Sequence, residues 1–194
     1  MDTNTEVKKR IIGHFAQFIT VSNRLEAELL NKVSLVHFAK GELIIDASKV
    51  STKSYYILNG LTRTYFMKDG KEINEYFSSE NEWANSPRSW RTGKLDIYYV
   101  SAIEDTSALC IQAQDMAFLF DNFPELDRYG RLSMATLLDH LIERITSFRF
   151  TNAQEKYDHF KESYAKVYHR IPLGMVASYL GIAQETLSRL RAKR

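Results

Sequence analysis

Between Leu35 and Ile111 the chain reads as short strand-like runs separated by glycine turns, and this constrains the fold more than any other feature. The runs "KGELII", "SYYILNG", "LTRTYFMKDGKEINEYF" and "IYYVSAIEDTSALCI" are rich in Tyr, Ile, Val, Phe and Thr. Lys40-Gly41, Asn59-Gly60 and Asp69-Gly70 punctuate them. Asp69-Gly70 lies between two alternating runs, the strongest short-range signal for a hairpin. Many short strands at close spacing predict a sandwich or barrel.

Helical periodicity flanks this block on both sides. Ile11, Ile12, Phe15, Phe18 and Ile19 recur at helical spacing. Ser22 is placed to cap a second helix bearing Leu25, Leu29 and Leu30. The resulting expectation is an α+β chain: N-terminal helices, a block of short strands, a long helix, then a C-terminal helical segment. Residues 80–96, "ENEWANSPRSWRTGKLD", are polar, with Pro87, Gly93 and two tryptophans, and read as a long recognition loop.

From Pro124 to about Arg149 a helix is expected that is apolar on two faces. Leu126, Ser133, Leu137, Leu141 and Phe148 approximate one face. Leu132, Ala135, Leu138, Ile142 and Ile145 crowd the next. Such a helix needs two covers. One can be the β-domain, and the other the same helix of a second chain or a further part of one monomer.

Charge is unevenly placed. Residues 149–194 hold nine Lys/Arg against four Asp/Glu, which leaves the remainder mildly acidic. A basic C-terminal piece on an acidic body suits a nucleic-acid-binding domain. A single cysteine, Cys110, excludes an internal disulfide and an all-cysteine iron–sulfur cluster. No 18-residue apolar run occurs, and the N-terminus lacks the apolar stretch of a signal peptide, so a cytoplasmic location is expected.

The last segment carries the sharpest signal. In "TNAQEKYDHFKESY", Thr151 or Asn152 is the expected helix cap. In "HRIPLGMVASYLGIAQETLSRLRAKR", Pro172 suits a first helical position. Met175, Val176, Tyr179 and Leu180 form an apolar face, and Ala177 allows close approach. Gly181 can turn the chain left-handed, and a second helix begins near Gln184 with Leu187 and Leu190 inward. Two helices joined by a short glycine turn form a helix-turn-helix. Ala183 stands where Ser or Thr would cap the second helix, a choice that typically costs about 1 kcal/mol.

This segment, and "GIAQETLSR" in particular, resembles the C-terminal winged helix-turn-helix of the Crp/Fnr transcription regulators. The preceding order agrees: a cyclic-nucleotide-binding-like β-roll, which the resemblance implies is an antiparallel jelly roll, then a long dimerisation helix. The resemblance implies a sensor domain at 1–123, a dimerisation helix at 124–149 and a DNA-binding domain at 150–194. It implies a homodimer on near-palindromic double-stranded DNA, RNA polymerase as a further partner, and a small-molecule effector. Glu185 and Arg189 match the family residues that read base edges. The chemistry fits, since Arg can donate twice to guanine O6 and N7 and a carboxylate can accept from cytosine N4. Gln184 stands where a family member has Arg. Thr186 and Ser188 can donate to phosphates or bases, and Arg191, Lys193 and Arg194 suit phosphates.

The family's cyclic AMP cassette has Gly-Glu, then Arg followed by Ser/Thr-Ala. Arg and backbone N–H groups take the cyclic phosphate, and Glu takes the ribose hydroxyl. Here Asn85-Ser86 replaces Gly-Glu, and Asp96 followed by Ile97-Tyr98 replaces the Arg run. A carboxylate there repels phosphate, so cyclic AMP is not expected to bind in the usual way. Trp83, Asn85, Ser86, Arg88 and Arg91 are candidates for lining a different effector pocket. Two further readings compete: a helix-turn-helix that binds a protein partner, and a cupin-type enzyme. The enzyme reading is weakened by the absence of any His-x-His. No catalytic residue and no metal ligand is assigned, and an enzymatic role is not expected.

Overall fold

The computed structural model describes residues 3–149 and 152–192. Among these it forms eight helices and two antiparallel four-stranded sheets, an α+β chain as expected. The chain divides into two compact units, residues 1–64 with 77–134, and residues 65–76 with 135–194.

Helix α1 (Thr3–Ala16) and helix α2 (Asn23–Lys32) open the first unit. Ser22 caps α2 as expected, its Oγ accepting from Leu25 N at 3.2 Å. The strands follow: β1 (Ser34–Phe38), β2 (Leu43–Ile45), β3 (Lys53–Asn59), β4 (Thr62–Lys68), β5 (Lys71–Ser78), β6 (Trp83–Ala84), β7 (Tyr99–Ala102) and β8 (Thr106–Gln112). One sheet has the order β1-β8-β3-β6, the other β2-β7-β4-β5. Asp69 and Gly70 between β4 and β5 both have positive φ, 51° and 73°, the tight turn that Asp-Gly announces.

Strand alternation sends side chains into two cores. Tyr56, Leu58, Leu109 and Ile111 pack against Ile11, Phe15, Leu25, Leu29 and Leu119 of the helices. The intervening Tyr55, Ile57, Ala108 and Cys110 join Ile45 and Val100 of the second sheet. The roll interior is therefore packed with side chains. β3 and β8 are buried on both faces because they are the central strands of their sheet.

Residues 80–96 correct the loop expectation. They hold β6 and a short helix α3 (Pro87–Thr92), closed by Gly93 at φ 65°. Helix α4 (Ala113–Asn122) leads into the long helix α5 (Glu125–Ser147). Leu126 and Tyr129 are buried in the first core. Beyond them the monomer supplies little cover: Met134 is 68% exposed, Ile142 50% and Ile145 58%.

The second unit continues with α6 (Ala153–Ser163), α7 (Leu173–Leu180) and α8 (Gln184–Ala192). Asn152 caps α6, its Oδ1 accepting from Glu155 N at 2.8 Å, while Thr151 lies outside the described residues. Pro172 stands one residue earlier than expected, at the cap of α7 with ψ 140°. Residues 153–192 contain no strand, so the wing expected with this helix-turn-helix is not found among them. None of the described helices is long and apolar enough to cross a membrane.

Candidate nucleic-acid interface

The helix-turn-helix is built on a small aromatic core. Tyr157, Phe160, Tyr164, Val176, Ala177, Tyr179, Leu180 and Leu187 are buried. The rings of Phe160, Tyr164 and Tyr179 meet at centroid distances of 5.0–5.7 Å. Ala177 is 3% exposed.

Gly181 makes the turn between the two helices with φ 65° and ψ 36°. Its N–H donates to Ser178 O at 3.2 Å, and Ile182 N donates to Ala177 O at 3.1 Å. Two such bonds around a left-handed residue end a helix sharply and satisfy carbonyls that would otherwise lack partners. The Ala183 carbonyl then accepts from Thr186 N and Leu187 N, which starts α8 without a side-chain cap.

Along α8 the alternation of burial sets which side chains face outward. Leu187 is fully buried, and Leu190 is half-buried. Gln184, Glu185, Ser188 and Arg189 are exposed, and Thr186 is half-buried. Arg189 Nε reaches back to the Glu185 carbonyl at 3.4 Å. Between the Glu185 carboxylate and the Arg189 guanidinium there is no ion pair. Both charged ends are thus presented to solvent four residues apart on one helix face. Gln184 lies against the first turn of α7, where a side-chain carbon on Gly174 would come within 2.9 Å of its Oε1.

Arg191 is half-buried at the end of α8. Its Nε donates to Tyr157 Oη at 3.0 Å, tying α8 to α6. Lys193 and Arg194 lie outside the described residues.

Of the five candidate pocket residues, Ser86 and Arg88 share one bonding partner. Trp83 packs in the helix-side core, 5.4 Å from the Tyr56 ring, and its Nε1 donates to Tyr129 Oη at 2.8 Å. Asn85 Nδ2 donates to Ser54 Oγ at 3.2 Å. Arg88 and Arg91 are exposed. Ser86 is buried, and its Oγ donates to Asp96 Oδ2 at 2.9 Å. The same carboxylate oxygen accepts from Arg88 N at 3.2 Å, while Asp96 Oδ1 accepts from Ile97 N at 2.8 Å. An internal anion therefore sits at the start of α3, where Ser86 makes no side-chain cap of its own. The sequence announced a repulsive charge at Asp96 but not this bonding role.

Sequence reasoning also passed over Ser178 and Arg144, which engage α7. Arg144 Nη2 donates to Tyr179 O at 3.0 Å, and its guanidinium lies 3.8 Å from the Tyr179 ring centroid. The only sequence trace is the helical spacing of His140, Arg144 and Ser147, the less exposed side of an otherwise exposed α5 segment.

No protein-family model and no curated protein matches the chain. Solved structures do. A CooA mutant from Carboxydothermus hydrogenoformans is 18% identical with a TM-score of 0.69, covering 90% of this chain and 85% of that one. FixK2 from Bradyrhizobium japonicum is 18% identical with a TM-score of 0.71, covering 83% of each chain. A protein from Eubacterium rectale described as a transcriptional regulator of the Crp/Fnr family is 17% identical with a TM-score of 0.68, covering 89% and 82%. The likeness extends over 83–90% of this chain: it has a Crp/Fnr-like fold, without a wing among residues 153–192.

Proposed function

We propose that the chain is a homodimeric transcription regulator of Crp/Fnr type that reads double-stranded DNA through α8. The observation that carries this reading is the face of α8. Glu185, Ser188 and Arg189 are held outward by a helix-turn-helix whose turn and core are fully formed. A bidentate Arg–guanine contact and a carboxylate–cytosine contact each contribute about 1–3 kcal/mol of base discrimination. The Crp/Fnr-like fold supports a regulator rather than an enzyme, with 1–123 as sensor domain, 124–149 as dimerisation helix and 150–194 as reader. Such a protein works in the cytoplasm, where its DNA is.

A helix with an apolar face that its own monomer leaves open supports the dimer. Leu137, Leu138, Leu141, Ile142 and Ile145 are 43–58% exposed. The same helix of a second chain covers such a face by knobs-into-holes packing and gives two α8 helices one DNA turn apart, about 34 Å.

Cyclic AMP is not the effector in this reading. Asp96 already fills the start of α3 with a carboxylate that accepts from Ser86 and Arg88 N. A cyclic phosphate arriving there meets a like charge in place of the family's Arg.

Selection of binding sites from random duplex DNA tests the proposal, run with the purified chain with and without cyclic AMP. Recovery of one inverted repeat in both arms is expected. Failure to enrich any sequence contradicts DNA reading, and a site that appears only with cyclic AMP contradicts the effector claim.

A further inference from the structure

We infer that Ser178, gripped by the edge of β5, is a positioning residue that fixes α7 and through it the reading helix α8; this rests on α8 being the DNA reader. Among the described residues β5 is the last strand of its sheet, so one of its edges has no strand beside it. In a strand, the C=O of one residue and the N–H of the residue two further on point to the same edge. Ser178 Oγ uses that geometry. It donates to Glu72 O at 2.8 Å and accepts from Asn74 N at 3.1 Å. One hydroxyl thus bonds two backbone groups of β5, in place of a neighbouring strand.

The next residue is held from the other side. Arg144 of α5 donates to the Tyr179 carbonyl in the last turn of α7, where a cation is favoured, and lies over the Tyr179 ring. Its Nε is 3.5 Å from Glu75 Oε1 of the same β5 segment. Tyr76 of β5 meets the His140 ring of α5 at 4.8 Å and the Tyr164 ring at 6.4 Å. Residues 72–76, the second half of α5 and α7 therefore close around Ser178 and Tyr179. Gly181 and α8 follow directly, so the direction of α8 is set by how α7 is held.

This grip leaves the reading face open. Glu185, Ser188 and Arg189 point to solvent, and Ser178 is on the preceding helix. The contact therefore pre-organises the reader rather than masking it, and loosening it weakens DNA binding by adding an ordering cost.

Hydrogen exchange of the full chain at neutral pH tests this in three proteins: wild type, Ser178→Ala and Ser178→Thr. Alanine is the better helix former, so its own propensity slows exchange in α7. The expected result runs against propensity. Ser178→Ala accelerates amide exchange across 173–187 by about tenfold, as loss of a bridging hydrogen-bond pair predicts. Exchange in β3 and β8 stays unchanged, and Ser178→Thr, which keeps the hydroxyl, restores the wild-type rate. Unchanged exchange in Ser178→Ala overturns the inference, as does equal acceleration in Ser178→Thr. On the inverted-repeat duplex recovered by selection, Ser178→Ala binds about fivefold more weakly with an unchanged salt slope. If wild type binds no duplex, the DNA reading fails, while the exchange result still judges the grip on α7.

Discussion

The second half of α5 and the outer side of α8 are both helix faces that the chain leaves uncovered, and their chemistry is opposite. On α5 the open face is apolar, with Met134, Leu138, Ile142 and Ile145 at least half exposed. On α8 it is polar and charged, with Glu185, Ser188 and Arg189 outward around a buried Leu187. An apolar face of this length is costly in water and calls for a dry, lasting partner. A polar face is comfortable in water and suits a wet, exchangeable one. The contrast divides the proposed work between the helices: α5 joins two copies, and α8 meets DNA.

The largest effect should come from charging the apolar face. Leu138→Lys with Ile142→Lys should weaken self-association by roughly a thousandfold, since four ammonium groups would enter a dry interface. Both side chains are already exposed in one chain, so the circular dichroism of the fold should hold. Sedimentation that still shows a dimer would break the comparison.

Salt should separate the faces next. Raising monovalent salt from 50 to 200 mM should weaken operator binding by about a hundredfold, for four or so phosphates neutralised per complex. Dimerisation through apolar side chains should change little over that range. Equal sensitivity of both would remove the distinction between a dry and a wet partner.

Arg189→Ala sharpens the polar side. Operator affinity should fall by about tenfold to a hundredfold, with relaxed preference at one base position per half-site and an unchanged dimer. An unaltered selected sequence would show that Arg189 is only a solvated charge.

The smallest effect concerns the covered end of α5. His14 is held down at about 4 by burial, and its Nε2 lies 3.0 Å from Tyr129 Oη. The unfolded chain takes up that proton near the ordinary value of 6.5, before the folded one does. Stability present at pH 7 is therefore lost as pH falls through the window from 6.5 to 4. The loss should reach about 1 kcal/mol by pH 5, half the full linkage value because the ring is only partly buried. It should shrink in His14→Gln, as read from thermal melts at pH 7 and pH 5. Melts equally steep in pH for both proteins would detach His14 from the packing of this end.

How far the sequence disclosed these features depends on the range of the interactions that make them. Ser22, Asp69-Gly70 and Gly181 were legible because caps and tight turns are decided by one or two residues. The apolar crowding of α5 was legible because 23 residues give helical periodicity room to show. Residues 80–96 were misread as loop because a two-residue strand and a six-residue helix are too short for any period. The turn signals were present nonetheless, Pro87 at the start of α3 and Gly93 at its end. Trp83 offered no local clue to its place, which is set by Tyr56 and Tyr129, far away in the chain. Arg191 reads as one more cation of a basic tail because its bond to Tyr157 spans 34 positions. The bonds of Ser178 to residues 72 and 74 span more than a hundred positions, beyond the reach of any sequence window.

The division of labour between the two open faces is tested most directly by the mass of the DNA complex. The purified chain, without added ligand, should be sedimented with the duplex it selects. Two chains on one duplex, with free dimers in excess protein, are the expected result. One chain per duplex, or a stable dimer that binds no duplex at all, would contradict it.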